Sequence, residues 1–191
     1  MNFSNETIWE GQIKEEFFNF ENKVLGKQFI KEASILDGIE PNQYDFVISS
    51  EMIQHIANPL RALYEWKRIL VNDGFLILIV PNMNRTFDHR RELTTLQHLI
   101  DDYNNNTGED DLTHLAEILK KHDLSRDQLA GSFEQFKNRS ENNFKIRALH
   151  HHVFNETLVK EMLTFTGFKI IDIELFFTII IVLAKKTDVS E

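Results

Sequence analysis

Residues 44–81 read YDFVISSEMIQHIANPLRALYEWKRILVNDGFLILIVP, and this stretch decides the fold. Phe46-Val47-Ile48 is a short apolar run without alternation, the pattern of a strand buried on both faces. Ser49-Ser50-Glu51 turns polar at its carboxyl end. Asn58 suits a helix cap and Pro59 a first helical turn. Leu60, Leu63, Trp66, Ile69 and Leu70 then recur at helical spacing, with Arg61, Glu65, Lys67 and Arg68 between them. Asn72-Asp73-Gly74 is expected to stop the helix and turn the chain. Phe75 to Val80 reads as a second buried strand that Pro81 ends. The unit is strand, helix, parallel strand. In open α/β sheets ligands bind at the carboxyl ends of strands, which places Ser49 to His55 and the residues after Pro81 at the working edge.

Composition narrows the classes. The 191 residues fit one domain, and 16 Phe within a hydrophobic content of 42% supply a core. A formal charge of −9 argues against a general nucleic-acid binder, which needs a basic face. No Cys is present, which excludes disulfides, thiolate catalysis and Cys-ligated zinc. Leu175 to Ala184, the longest apolar run, is broken by Thr178 and is about half of a ~20-residue membrane span. With no signal pattern at the start, the expectation is a cytoplasmic protein with no membrane anchor.

Before the central unit, Trp9, Phe17, Phe18 and Phe20 read as core anchors under a loop, and residues 28–36 as a short strand and turn. After it, residues 82–150 have helical texture. A helix is expected from Thr94 or Thr95, another over Asp110 to His122 with Leu112, Leu115, Ile118 and Leu119 on one face, and a third region over 132–149. That length exceeds a simple crossover and reads as a helical cap over the strand ends. Asn155 or Thr157 opens a further helix that Gly167 ends. Phe168 to Leu175 and Phe177 to Ala184 then read as an antiparallel strand pair.

The central unit resembles the second half of a class I S-adenosylmethionine-dependent methyltransferase of the type 11-like group. The matching features are Asp45 and Val47, the polar loop to His55, Pro59, Leu63 to Leu70, Gly74, and Leu76 to Pro81. Further segments are similar to methyltransferase-like proteins linked to polysaccharide biosynthesis: Phe3 to Glu10, Glu32 to Leu36, Tyr44 to Ser50, Thr86 to Arg91, Glu109 to Leu115, His122 to Leu124, and Leu149 to Phe154. The resemblance implies an α/β fold: a partial Rossmann-like sheet made of family strands 3, 4, 5, 6 and 7, with the helical insertion between strands 5 and 6. Residues 1–191 form one domain with 82–150 as the cap. The family's strand order, 3-2-1-4-5-7-6, places Met1 near the end of the second strand. The expected glycine-rich cofactor turn is missing, since no G-x-G occurs among the 7 glycines. On this reading the chain is N-terminally truncated, and the strand at 45–50 is an apolar edge open to a partner or a second copy.

The resemblance also implies sites. S-adenosylmethionine is the expected cofactor, with Glu32 and Ala33 at the adenine and Ser49, Ser50 and Glu51 beside the methionine end. Relatives often carry His at the third of these loop positions, so Glu51 is a departure that sets one carboxylate against another. Glu32 also fits a solvated surface acid.

The candidate catalytic residues are His55, Asp88, His89, Asp111, His114, His150 and His152. His suits proton removal from an acceptor hydroxyl near neutral pH, although His55 equally fits a cap for the loop that follows it. Asp88-His89-Arg90-Arg91 follows the second strand, and its arginines can grip an anion or form a charged turn. Asp110, Asp111, His114 and Glu117 fall on one helical face, either as a base with its orienting carboxylate, as a metal site, or as acids at a helix N-terminus. His150 and His152 share a face if their segment is extended. No metal ligand set is assigned.

The reading is a methyltransferase acting on a hydroxyl of a sugar or polysaccharide precursor, impaired by the missing glycine loop. The alternatives are a non-catalytic partner subunit, or a metal-dependent hydrolase using Asp88, Asp111, His114 and His150.

Overall fold

The computed structural model describes residues 1–7, 11–12, 17–21 and 23–187. Two small antiparallel hairpins come first, β1 (Glu6–Thr7) with β2 (Gly11–Gln12), and β3 (Phe17–Phe20) with β4 (Lys23–Lys27). Phe17 and Phe18, expected as core anchors, are about half exposed on this ribbon. Trp9 and the Phe20 side chain lie outside the described residues. The strand expected at 28–36 does not form. Ile30 makes one parallel bridge to Asn2, and the chain then turns.

The main sheet has four strands: β5 (Tyr44–Ser50), β6 (Leu70–Pro81), β7 (Phe168–Phe176) and β8 (Ile179–Lys186). Their order is β5-β6-β8-β7, with β5 and β6 parallel and the other pairs antiparallel. This matches the order 4-5-7-6 expected for the second half of the family's sheet. The fold is mixed α/β, as expected.

Helix α1 (Pro59–Ile69) begins as its sequence dictates. The Asn58 side chain accepts a hydrogen bond from the Arg61 amide at 3.1 Å, and Pro59 fills the first turn. Leu60, Leu63, Trp66 and Ile69 are buried along one face. The helix ends at Ile69, and Leu70 is already extended. Asn72-Asp73-Gly74 therefore does not end the helix. It lies within β6 as an irregularity, with Asp73 at φ 64°, where the register against β5 shifts between Tyr44 and Phe46. A Cβ on Gly74 would stand 2.9 Å from the Val71 carbonyl oxygen and 3.1 Å from that of Asp45.

One face of the sheet is covered. Leu76, Leu78, Val80, Ile180, Val182 and Ala184 pack in one core with residues of α1 and of α6 (Glu156–Phe165). The opposite face is not buried as the uniform apolar runs had suggested. Phe46 and Ile48 are 59% and 57% exposed, and Phe75, paired with Phe46, is also exposed. A strand can read as buried on both faces and still show one face to solvent, because the elements that cover it come from elsewhere. Among the described residues β5 is an edge strand, as expected for residues 45–50.

The insertion contains α2 (Leu96–Asn104), capped by Thr95, then α3 (Leu115–Lys121), α4 (Phe133–Glu141) and α5 (Asn143–Ile146). Ser132 and Gln135 form a reciprocal capping box at the start of α4. The helix expected from Asp110 begins only at Leu115, so Asp110 and Asp111 lie in the preceding turn rather than on a helical face with His114 and Glu117. Ile118, Ala130, Phe136 and Leu149 make a small second core. Arg147 ends α5 in the left-handed region at φ 59°. The chain then returns to the sheet beside Asn82 through Phe154. Asn155 caps α6, and Gly167 follows it at φ 78°. Among the described residues no helix is long and apolar enough to cross a membrane.

Candidate functional site

A cavity of about 580 Å³ opens at the carboxyl ends of β5 and β6. The polar turn after β5 forms its floor, as ligand sites in open α/β sheets require. Ser50, Glu51 and Met52 line it, with Gln54, His55 and Ile56 just beyond. Glu51 takes a left-handed conformation (φ 46°), and its amide donates to the Ile79 carbonyl at 2.9 Å, so the turn stays stitched to β6. Lys31, Glu32 and Ala33 form a second wall. That wall is held by the Trp66 indole, which donates to the Ala33 carbonyl at 3.0 Å. The helical insertion supplies Glu109, Arg139, Arg147 and His150 as the roof.

Of the five residues expected at the cofactor, Glu32, Ala33, Ser50 and Glu51 line this cavity. Ser49 does not. It points to the covered face of the sheet, buried, with its hydroxyl lacking a hydrogen-bond partner among the described residues. Glu32 is a partly exposed acid held in an ion pair. Its Oε1 meets Arg147 Nη2 at 2.6 Å, while Arg147 Nη1 meets Glu109 Oε2 at 2.7 Å. Burial, with Glu32 adding to it, raises the Glu109 carboxyl above its usual range. Arg147 was not anticipated, because 115 positions separate it from Glu32 and nothing in its local sequence marks the left-handed turn that aims it.

Two expected histidines meet in the cavity. The His55 and His150 rings lie 4.7 Å apart, nearly perpendicular. His55 Nδ1 donates to the Leu149 carbonyl at 3.0 Å, which sets its tautomer because a carbonyl only accepts. Burial, with His150 adding to it, lowers its pKa to about 3, so the ring is neutral at physiological pH. His150 Nδ1 lies 2.6 Å from Asp88 Oδ2. Burial would raise the Asp88 carboxyl, but His150 and Arg91 outweigh that and hold it below its usual range. Arg91 is itself buried. It meets Asp88 at 3.3 Å and donates to the carbonyls of His150 and His151 at 2.7 and 3.1 Å. Arg90 pairs with Asp123 at 2.9 Å. The arginines thus serve the interior and an exposed turn, and do not form the anion clamp considered from sequence.

The other candidates fall elsewhere. His89 bonds the Thr86 carbonyl and faces Asp123, outside the cavity lining. Asp111 accepts from Thr113 in its own turn. His114 and His152 join His98 in a separate group: His98 Nε2 and His114 Nε2 are 3.0 Å apart, and His152 Nε2 is 2.9 Å from Asp102 Oδ2. Burial first, then His152 and His98, lower His114 to about 4. The set Asp88, Asp111, His114 and His150 is therefore split, which removes the geometric basis for a hydrolase built on it.

Residues 8–78 match the model of the methyltransferase domain family. Among solved structures, the chain is similar to a SAM-dependent methyltransferase, possible histamine N-methyltransferase, of Thermotoga maritima. That match has 14% identity and a TM-score of 0.45, covering 85% of this chain and 65% of that one. It is also similar to a SAM-dependent methyltransferase of Methanosarcina mazei, with 16% identity and a TM-score of 0.44, covering 87% and 71%. The chain thus spans about two thirds of the length of these structures. No curated protein matches it.

Proposed function

We propose that this chain is an S-adenosylmethionine-dependent methyltransferase that transfers the cofactor's methyl group to a hydroxyl of a sugar or polysaccharide precursor, with S-adenosylhomocysteine as the leaving group. The observation that carries the reading is that one cavity joins the turn after β5 to the Asp88–His150 pair. Its volume lies within the range of about 300–1,000 Å³ common for small-molecule sites. Glu32, Ala33, Ser50 and Glu51 would hold the cofactor, which supplies an electrophilic methyl group when bound. His150 would accept the acceptor hydroxyl proton. Asp88 fixes the ring with its Nδ1 proton inward, leaves Nε2 to act as base, and stabilises the imidazolium that forms. His55 would act as a neutral polar wall, because its depressed basicity suits proton removal poorly.

We also propose that cofactor affinity is weak in this chain. Among its 7 glycines none forms the G-x-G turn that lets a backbone approach the cofactor, and Glu51 places a carboxylate at the cavity floor. Calorimetry with S-adenosylmethionine, followed by methyl transfer from labelled cofactor to a panel of sugar nucleotides and glycans, tests both statements. Binding with no transfer to any hydroxyl acceptor would remove the acceptor assignment.

A second reading is a partner subunit that pairs through β5, in a cytoplasmic assembly. It is favoured by the exposed Phe46 and Ile48 on an open edge. Light scattering at increasing concentration separates the two: a monodisperse monomer throughout counts against pairing between copies.

A further inference from the structure

The structure holds a second polar centre, outside the cavity. His98 lies on α2, one turn before Asp102; His114 precedes the first residue of α3; His152 lies in the segment that returns to the sheet. One ring nitrogen from each histidine falls within 4.8 Å of the other two. His98 Nε2 and His114 Nε2 stand head to head at 3.0 Å. Asp102 Oδ2 touches both His98 Nε2 at 3.3 Å and His152 Nε2 at 2.9 Å, while its other oxygen accepts from Thr107 at 3.0 Å.

Three features of this arrangement favour a cation over a chance polar contact. Two imidazole nitrogens that face each other need a proton or a cation between them, since their lone pairs otherwise repel. His152 is buried, and its second ring nitrogen, Nδ1, has no hydrogen-bond partner among the described residues. Burial keeps water from this ring, so its contact with the group is the one Nε2 makes with Asp102. Asp102 Oδ2 reaches the same His98 nitrogen that faces His114, and so stands where a fourth ligand would. Four-coordinate zinc with arms of about 2.0–2.1 Å spaces its ligand atoms about 3.3–3.4 Å apart, close to the His98–His114 separation.

We infer that His98, His114 and His152, with Asp102 as the fourth ligand, form a binding site for a divalent transition metal of the zinc class. Three nitrogens and one oxygen form a borderline donor set, which suits zinc or cobalt and not magnesium or calcium. The site is structural. It ties α2 and α3 to the returning segment, which lies far from them in sequence. His98 was not singled out in the sequence, because a lone His within TTLQHLIDD gives no hint that two others approach it.

The test uses the whole purified chain, stripped with chelator and titrated with Zn²⁺ or Co²⁺ alone. One equivalent should bind, Co²⁺ should develop the visible ligand-field bands of a four-coordinate site, and the melting temperature should rise with metal. His98→Ala and His114→Ala should each weaken Zn²⁺ binding by at least about 10-fold, and Asp102→Asn by about 10- to 100-fold, the range for lost ligand support. His89→Ala, a histidine outside the group, should leave affinity unchanged. The wild-type titration decides the matter even if a variant fails to fold. Absence of one-to-one binding, a six-coordinate cobalt spectrum, or loss of affinity in His89→Ala equal to that in His98→Ala would each overturn the site.

Discussion

His150 Nδ1 lies 2.6 Å from Asp88 Oδ2, and the same carboxylate is held from its other oxygen by Arg91 at 3.3 Å. The imidazole is thus oriented by a carboxylate that cannot turn away. If His150 is the base, His150→Gln should lower kcat by about 10²- to 10⁴-fold with cofactor affinity within about 2-fold of wild type. Asp88→Asn should lower kcat as well, by letting the ring adopt the wrong tautomer. Steady-state kinetics beside cofactor calorimetry separates the effects. Equal losses in binding and turnover would point to collapse of the cavity instead.

Glu51 is the residue at the cavity floor whose charge runs against an amino-acid carboxylate. Glu51→His should raise the affinity for S-adenosylmethionine several-fold, by removing like-charge repulsion. Calorimetry at low and high salt reads it, since the gain should shrink as salt screens the charge. An unchanged Kd would show that the methionine end binds elsewhere.

Stability should fall steeply on acidification. His55 and His151 titrate near 3 and His114 near 4 in the folded protein, against 6.5 for the free side chain, each chiefly through burial. Between pH 6.5 and about 4 the unfolded chain therefore binds more protons than the folded one, so unfolding is favoured as pH falls. These three groups contribute stability that is present above about 6.5 and lost progressively below it. Denaturant melts at pH 7.5, 6, 5 and 4.5 should show a slope of at least roughly two to three protons per molecule at the acid end, with His122 and His152, also lowered chiefly by burial, adding to it. A flat profile over that range would contradict the buried neutral state of these rings.

Gly74→Ala should destabilise the fold by about 1–3 kcal/mol. The added methyl meets the Val71 and Asp45 carbonyl oxygens at 2.9 and 3.1 Å, and both are backbone atoms that move only with β5 and β6. Urea denaturation measures it. A change below about 0.5 kcal/mol, the usual surface effect, would mean that the bulge yields freely.

The local features of this chain were legible because they rest on neighbours in sequence. The Asn58-Pro59 start of α1, the Asn155 cap of α6, and the Phe168–Lys186 strand pair all follow from capping chemistry and apolar spacing. The polar turn of residues 49–55 was found for the same reason, since strand ends in a parallel pair collect ligands. Where a reading depended on what packs against an element, it went astray. Phe46-Val47-Ile48 has the composition of a strand buried on both faces, yet Phe46 and Ile48 turn one face to solvent. Asp110 to His114 has the spacing of a helix face and is a turn.

The sequence by itself determined the α/β order, the β5-α1-β6 unit and the position of the cavity floor, since each is set within a few residues by propensity, caps and periodicity. Only the tertiary structure decided which charged groups act together. It gave His150 to Asp88, Glu32 to Arg147, and His152 to Asp102, partners 62, 115 and 50 positions apart. A side chain's chemistry is local, but its partner is chosen by how the helical insertion folds back over the sheet. No spacing along the chain records that.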